Sequence, residues 1–143
     1  MNRALTTKFS ITDRKVVFVL TLLVLVFIVL TLSQDFLRSN LKNSAFYFSE
    51  SFIFSSFWWL FAPLLFTQYI AITKIISTRL YFYLSIILLP IMVHLVAFPF
   101  LVWTITEIFY YHTYSFQQTF RYILSEHLYL LVLLYSIPFL ASQ

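Results

Sequence analysis

The sequence predicts an all-α, polytopic membrane protein: a four-transmembrane-helix bundle with N-terminus and C-terminus both cytoplasmic. Three observations lead there. Four apolar runs, Val16–Ser33, Phe52–Ile72, Leu80–Ile105 and Tyr122–Ala141, take up most of the 143 residues, and each is about the 17–25 residues that a helix needs to cross a bilayer. Only 10% of the chain is charged and the mean hydropathy is +0.91, whereas soluble domains are roughly one quarter charged. The charges also alternate between the breaks. The N-terminal segment and second break hold six Lys/Arg against one acid, and the first and third breaks, with Arg121 and Glu126 at the start of the fourth run, hold three against four. By the positive-inside rule the first pair faces the cytoplasm, which requires an even number of spans. The expected organisation is a basic cytoplasmic segment over residues 1–15 and one membrane domain over 16–141.

Helices suit these runs better than barrel strands. Val16-Val17-Phe18-Val19-Leu20 and Ile86-Ile87-Leu88-Leu89 are continuously apolar, without the alternation of a barrel strand, and a helix satisfies its backbone locally in lipid. The chain lacks cysteine and glycine. Disulfides, thiolate chemistry and Cys-ligated metals are thereby excluded, as are Gly-xxx-Gly packing and glycine-rich phosphate loops. Packing falls to Ala, Ser and the 18 Phe and 10 Tyr.

The first run follows Arg14 and Lys15 as a signal peptide's apolar region follows its basic one. It is 18 residues long, and Thr31-Leu32-Ser33-Gln34 is no cleavage site, so it reads as an uncleaved first span. The polar break Gln34–Ser51 is expected to hold a helical extension or an interfacial segment. In the second run Ser51, Ser55 and Ala62 share one helical stripe, a small-residue contact face. Trp58 and Trp59 either fill the bundle or sit at the outer interface. Gln68 needs a polar partner. The break Thr73–Arg79 is short enough to make the second and third helices antiparallel neighbours. The third break, Thr106–Phe120, carries six Phe or Tyr and is expected to lie at the headgroup level or to cap the bundle. The chain stops at Gln143 without an anchor after the fourth run, which fits either a continuation into a cytoplasmic domain or a short protein that simply ends there.

Pro63, Pro90, Pro99 and Pro138 all lie in the runs. Each removes a backbone donor and tends to kink its helix. They read as ordinary membrane-helix curvature, or, for Pro63, Pro90 and Pro99, as hinges that move in signalling or gating.

Four polar residues within the runs are candidates for function: His94, Gln68, Glu126 and His127. His94 lies mid-span, four residues after Pro90, where an ionisable group invites a functional reading; the plainer reading is a packing histidine that bonds a carbonyl freed by the kink. Glu126 and His127 are adjacent and point about 100° apart. With Glu107 and His112 they make an outward cation or proton site conceivable, yet no metal-binding spacing is present. No nucleophile–base pair or carboxylate dyad appears. Neither an enzymatic activity, a cofactor, nor a bound metal is expected. The basic N-terminus fits topology and anionic lipid rather than direct nucleic-acid binding.

The stretch Phe57-Trp58-Trp59-Leu60-Phe61-Ala62-Pro63-Leu64-Leu65, the basic break Lys74–Arg79, the His-bearing third helix Val93-His94-Leu95 and the tyrosine-rich fourth run Tyr122–Tyr135 resemble a membrane region found in bacteria. That region precedes LytTR-type DNA-binding domains, and similar regions precede LytS-like sensor histidine kinases. The resemblance spans roughly Val16–Ala141 and rests on a Trp/Pro helix, one His and a layout. It implies a sensory or anchoring module in the cytoplasmic (inner) membrane, with an output domain following Gln143, and it assigns no ligand residues. The expectation is therefore an integral membrane sensory module that signals to a cytoplasmic output domain or partner, as a homodimer in the lipid bilayer. The competing expectation is a small transport, pore-forming or accessory subunit in which Ser55, Gln68, His94 and Glu126 line a path.

Overall fold

The computed structural model describes residues 11–74, 80–111 and 113–140. These residues form six helices: α1 (Ile11–Leu41), α2 (Phe48–Trp59), α3 (Phe61–Lys74), α4 (Leu80–Phe109), α5 (Phe116–Glu126) and α6 (Leu128–Leu140). Three helical stretches, Thr12–Leu41, Phe48–Thr73 and Leu84–Phe109, are long and apolar enough to cross a membrane. A fourth is added when α5 and α6, bent by 66° against each other, are taken as one span. Arg3, Lys8, Arg79 and His112, which enter the topology and outer-site arguments, lie outside the described residues.

The first break becomes a helical extension. α1 has 31 residues, about 46 Å at 1.5 Å per residue, longer than the roughly 30 Å of a hydrocarbon layer by about the length of its polar C-terminal third. Its end is a Schellman turn: Asn43 has φ +50°, its N–H donates to the Asn40 carbonyl at 3.2 Å, and the Ser44 N–H donates to the Ser39 carbonyl at 2.9 Å. Glycine ordinarily takes the left-handed position there, and asparagine is the usual substitute. In a chain without glycine, asparagine takes it.

The second run divides into α2 and α3 at Leu60. Pro63 explains the interruption, because a proline ring clashes with the carbonyl four residues earlier and offers no donor to it; that carbonyl belongs to Trp59, the last residue of α2. Leu60 keeps helical dihedrals, φ −71° and ψ −21°, so the two pieces still form one continuous stretch. α4 contains Pro90 and Pro99 and runs unbroken through both.

The sharp bend falls elsewhere. α5 and α6 part at His127, at φ −123° and ψ −3°. No proline or glycine lies within reach of it; Pro138 sits far down α6. α5 starts earlier than the fourth apolar run, at Phe116, because Ser115 and Gln118 form a capping box: the Ser115 Oγ accepts from the Gln118 N–H, and the Gln118 Oε1 accepts from the Ser115 N–H, both at 3.2 Å. This Ser-x-x-Gln pattern satisfies two otherwise unpaired donors.

The core lies among α2 to α6. Ile91, Leu95, Phe98 and Val102 form one face of α4 and meet Ile53, Phe57 and Phe61 of α2 and α3, Ile123 of α5, and Leu131 and Tyr135 of α6. α1 is peripheral. It packs against α2 and α3, and Ile28 is its buried apolar residue among those described. Trp58 holds it there: the indole Nε1–H donates to the Thr31 hydroxyl at 2.8 Å, and the ring stacks on Phe27 with centroids 4.6 Å apart. The outward faces of α1, α4 and α6 are covered with exposed Leu, Val and Phe.

Candidate functional site

The buried polar residues converge on Tyr135. His94 of α4 and Tyr135 of α6 are both fully buried, and the His94 Nδ1 shares a hydrogen bond of 2.8 Å with the Tyr135 hydroxyl. The imidazole is clamped between Phe57 and Phe61, each with its ring centroid 4.7 Å away. Gln68 of α3 finds its partner on the same residue, its Nε2–H donating to the Tyr135 carbonyl at 2.6 Å. Among the described residues, neither the His94 Nε2 nor the Gln68 Oε1 has a partner in hydrogen-bond geometry. Tyr135 therefore ties α6 to α3 and α4 at two points, and an aromatic shell closes the space around them.

The remaining polar candidates are placed differently. Ser55 turns back to the Phe52 carbonyl of its own helix. Glu126 and Glu107 are exposed. His127 is half-buried at the α5–α6 break, with its ring 4.7 Å from that of Phe57 and its Nε2 sharing a 3.3 Å hydrogen bond with the Tyr122 hydroxyl. Gln68 and His94 thus meet at Tyr135, whereas Ser55 and Glu126 have other surroundings. Of the outer-site set Glu107, His112, Glu126 and His127, His112 is undescribed. Among the described residues, no group of three or more His, Asp or Glu is assembled that could hold a metal.

A second site lies at the end of the bundle where α1 extends past its neighbours. A cleft of about 660 Å³ opens there between the C-terminal part of α1, the start of α2, and the α4–α5 loop with the start of α5. Three helical faces build it. Asp35, Arg38 and Ser39 come from α1, with Lys42 just past its end; Glu50, Ser51 and Phe54 come from α2, with Tyr47 at its N-cap; Gln118, Thr119 and Tyr122 come from α5. The first two groups follow the i, i+3, i+4, i+7 spacing of one helical face, and Tyr122 lies three and four residues after Thr119 and Gln118.

Hydroxyl contacts hold the cleft in shape. The Ser51 hydroxyl donates to Asp35 Oδ2 at 2.5 Å, joining α1 to α2. Tyr114 in the α4–α5 loop packs its ring against Phe54, edge to face at 5.1 Å, and its N–H donates to the buried Thr106 hydroxyl at 3.3 Å. Tyr122 meets Phe54 from α5 at 5.6 Å. The Tyr114 phenol is pushed above its ordinary range, first by burial and then by the charge and hydrogen bonding of Glu50. Two cations and two carboxylates thus face one cleft, and among the described residues no ion pair joins them. The neutral hydroxyls beside Asp35 and Glu50 leave their charges uncancelled.

Compared with known protein families, curated proteins and solved structures, this chain matches none.

Sequence reasoning places the polar interest of this chain in the apolar runs and misses the cleft. Two signals in the sequence point toward it: the stripe Asp35/Arg38/Ser39/Lys42 extending the first helical period past its apolar part, and the Ser115/Gln118 capping box starting a polar-faced helix ahead of the fourth run.

Proposed function

We propose that this chain is the membrane-embedded sensory module of a bacterial signal-transduction or transcription-regulatory protein. In this reading it has four spans, both termini in the cytoplasm, and the cleft on the outer side of the inner membrane. Exposed apolar faces on α1, α4 and α6 support the membrane placement, because a monomer in water rarely exposes so large an apolar patch. The charge asymmetry of the breaks supports the orientation. The resemblance to membrane regions ahead of LytTR-type and LytS-like outputs supports the signalling role.

The observation that carries this reading is the 66° break at His127. It joins a half-helix that lines the cleft to a half-helix whose Tyr135 is bonded to α3 and α4. A change at the cleft that moves α5 is thereby delivered to α6, which leads to the cytoplasmic end, where an output domain or partner of a homodimer receives it. A bistable bend is the element that such a device needs.

The test is a pair of spin labels at Gln117 of α5 and Leu133 of α6, both exposed, on the full chain in liposomes. The expected result is two distance populations whose ratio changes when Arg38 or Glu50 is neutralised. One narrow population, unmoved by either change, would sink the proposal.

A further inference from the structure

We infer that the cleft binds a zwitterion that carries a primary ammonium and an oxyanion, an inference that rests on the sensory reading above. The argument starts from charge. Arg38, near the end of α1, and Lys42, just past it, line the cleft together with Asp35 and Glu50. A simple anion entering the cleft meets two carboxylates, and a simple cation meets two cationic side chains. A molecule with both charges a few bonds apart gives each wall its partner. Arg38 supplies the planar fork that suits a phosphate or carboxylate, and Glu50 accepts from an ammonium.

The surroundings agree. At about 660 Å³ the cleft falls within the roughly 300–1,000 Å³ of small-molecule sites. Phe54, with Tyr114 and Tyr122 packed edge to face on it, is part of its lining, as are both tyrosines, and an ammonium over an aromatic face gains cation–π attraction. Complementing helix dipoles accounts for Glu50 in the first turn of α2 and Arg38 in the last turn of α1. It does not account for Lys42, beyond the end of α1, or for the opening of all four charges on one cavity. Two sources share this chemistry: the headgroup of phosphatidylethanolamine, reached from the outer leaflet, and a soluble phosphoethanolamine or amino acid.

The experiment uses the full chain in nanodiscs of phosphatidylglycerol, with and without phosphatidylethanolamine. Retained lipid is read by native mass spectrometry, and free glycerophosphoethanolamine is titrated into the phosphatidylglycerol discs by calorimetry. Selective retention of phosphatidylethanolamine identifies the lipid source. Binding of the free compound identifies a soluble one. In either case R38Q and E50Q should each weaken binding roughly tenfold. The charge-exchanged R38E/E50R variant, which keeps two cations and two carboxylates in the cleft, should bind better than R38E alone and decides the matter if a single variant does not fold. Absence of binding by both probes, or binding that both neutralising variants leave unchanged, overturns the inference. Binding that leaves the α5–α6 distance unaltered upholds it and overturns the sensory reading instead.

Discussion

Tyr135→Phe tests whether the buried polar contacts hold the bundle together. The substitution removes one oxygen and leaves the ring stacked on Phe61, 5.2 Å away. His94 is fully buried, so loss of the 2.8 Å contact orphans its Nδ1. An unsatisfied buried group costs about 1–3 kcal/mol. Side-chain hydrogen bonds between membrane helices measure lower, about 0.6 kcal/mol on average and up to about 1.7. Full burial of both partners puts this one near the upper figure, so Tyr135→Phe should cost about 1.5 kcal/mol, slightly more than tenfold in the folding equilibrium. The assay is reversible unfolding of the full chain in mixed micelles of mild detergent and dodecyl sulfate, followed by far-ultraviolet circular dichroism. His94→Leu in the Tyr135→Phe background removes the orphaned ring, so the pair should show a coupling of about 1 kcal/mol in a double-mutant cycle. A Tyr135→Phe cost within experimental scatter of zero, with no coupling to His94, would refute the argument.

Phe57 meets His94, His127, Phe61 and Phe98 with centroids within 5.5 Å; Phe57→Ala should cost about 3 kcal/mol, the low end for such truncations, because apolar burial from lipid adds little driving force, and a cost below about 1 kcal/mol would show the core to be loosely packed. The raised Tyr114 pKa means that the folded state holds its proton more tightly than the unfolded one, so stability is retained below about pH 10, the unfolded value, and falls as pH climbs through the folded value. Absorbance titration should show Glu50→Gln bringing the Tyr114 pKa down, and an unchanged titration would remove Glu50 as a cause. The cysteine-free chain is a ready template for topology: cysteine at Ser44 or Thr113 should react with an impermeant maleimide in intact spheroplasts, and cysteine at Lys15 only after lysis. The reverse pattern would invert the proposed orientation.

How much was legible in the sequence differs element by element. The interruption at Leu60 is written in Pro63, since the proline acts on a carbonyl in its own helix. The extension of α1 is one of the two options that the polar break offers, and a helical stripe decides for it. Pro90 and Pro99 mark places where α4 could bend, yet the packed face from Ile91 to Val102 carries the helix through both. The break at His127 has no local signal. Tyr122 on one side of it contacts Phe54 and His127, and Tyr135 on the other is held by α3 and α4, so the bend comes from docking the two halves on different neighbours.

His94 and Gln68 stand out from sequence because polar atoms in an apolar run must find partners. That both partners are on Tyr135 is a matter of how α3, α4 and α6 are rotated about their axes. The cleft is the extreme case: Arg38, Glu50 and Tyr122 lie in three separated segments, and their approach depends on helix register. Length and composition determined by themselves that this chain builds helices of bilayer length, because the 1.5 Å rise and the cost of unpaired backbone in lipid are properties of every residue alike. Only the tertiary structure decided which polar groups meet, because side-chain encounters between helices depend on rotation, tilt and bend, which no single segment specifies.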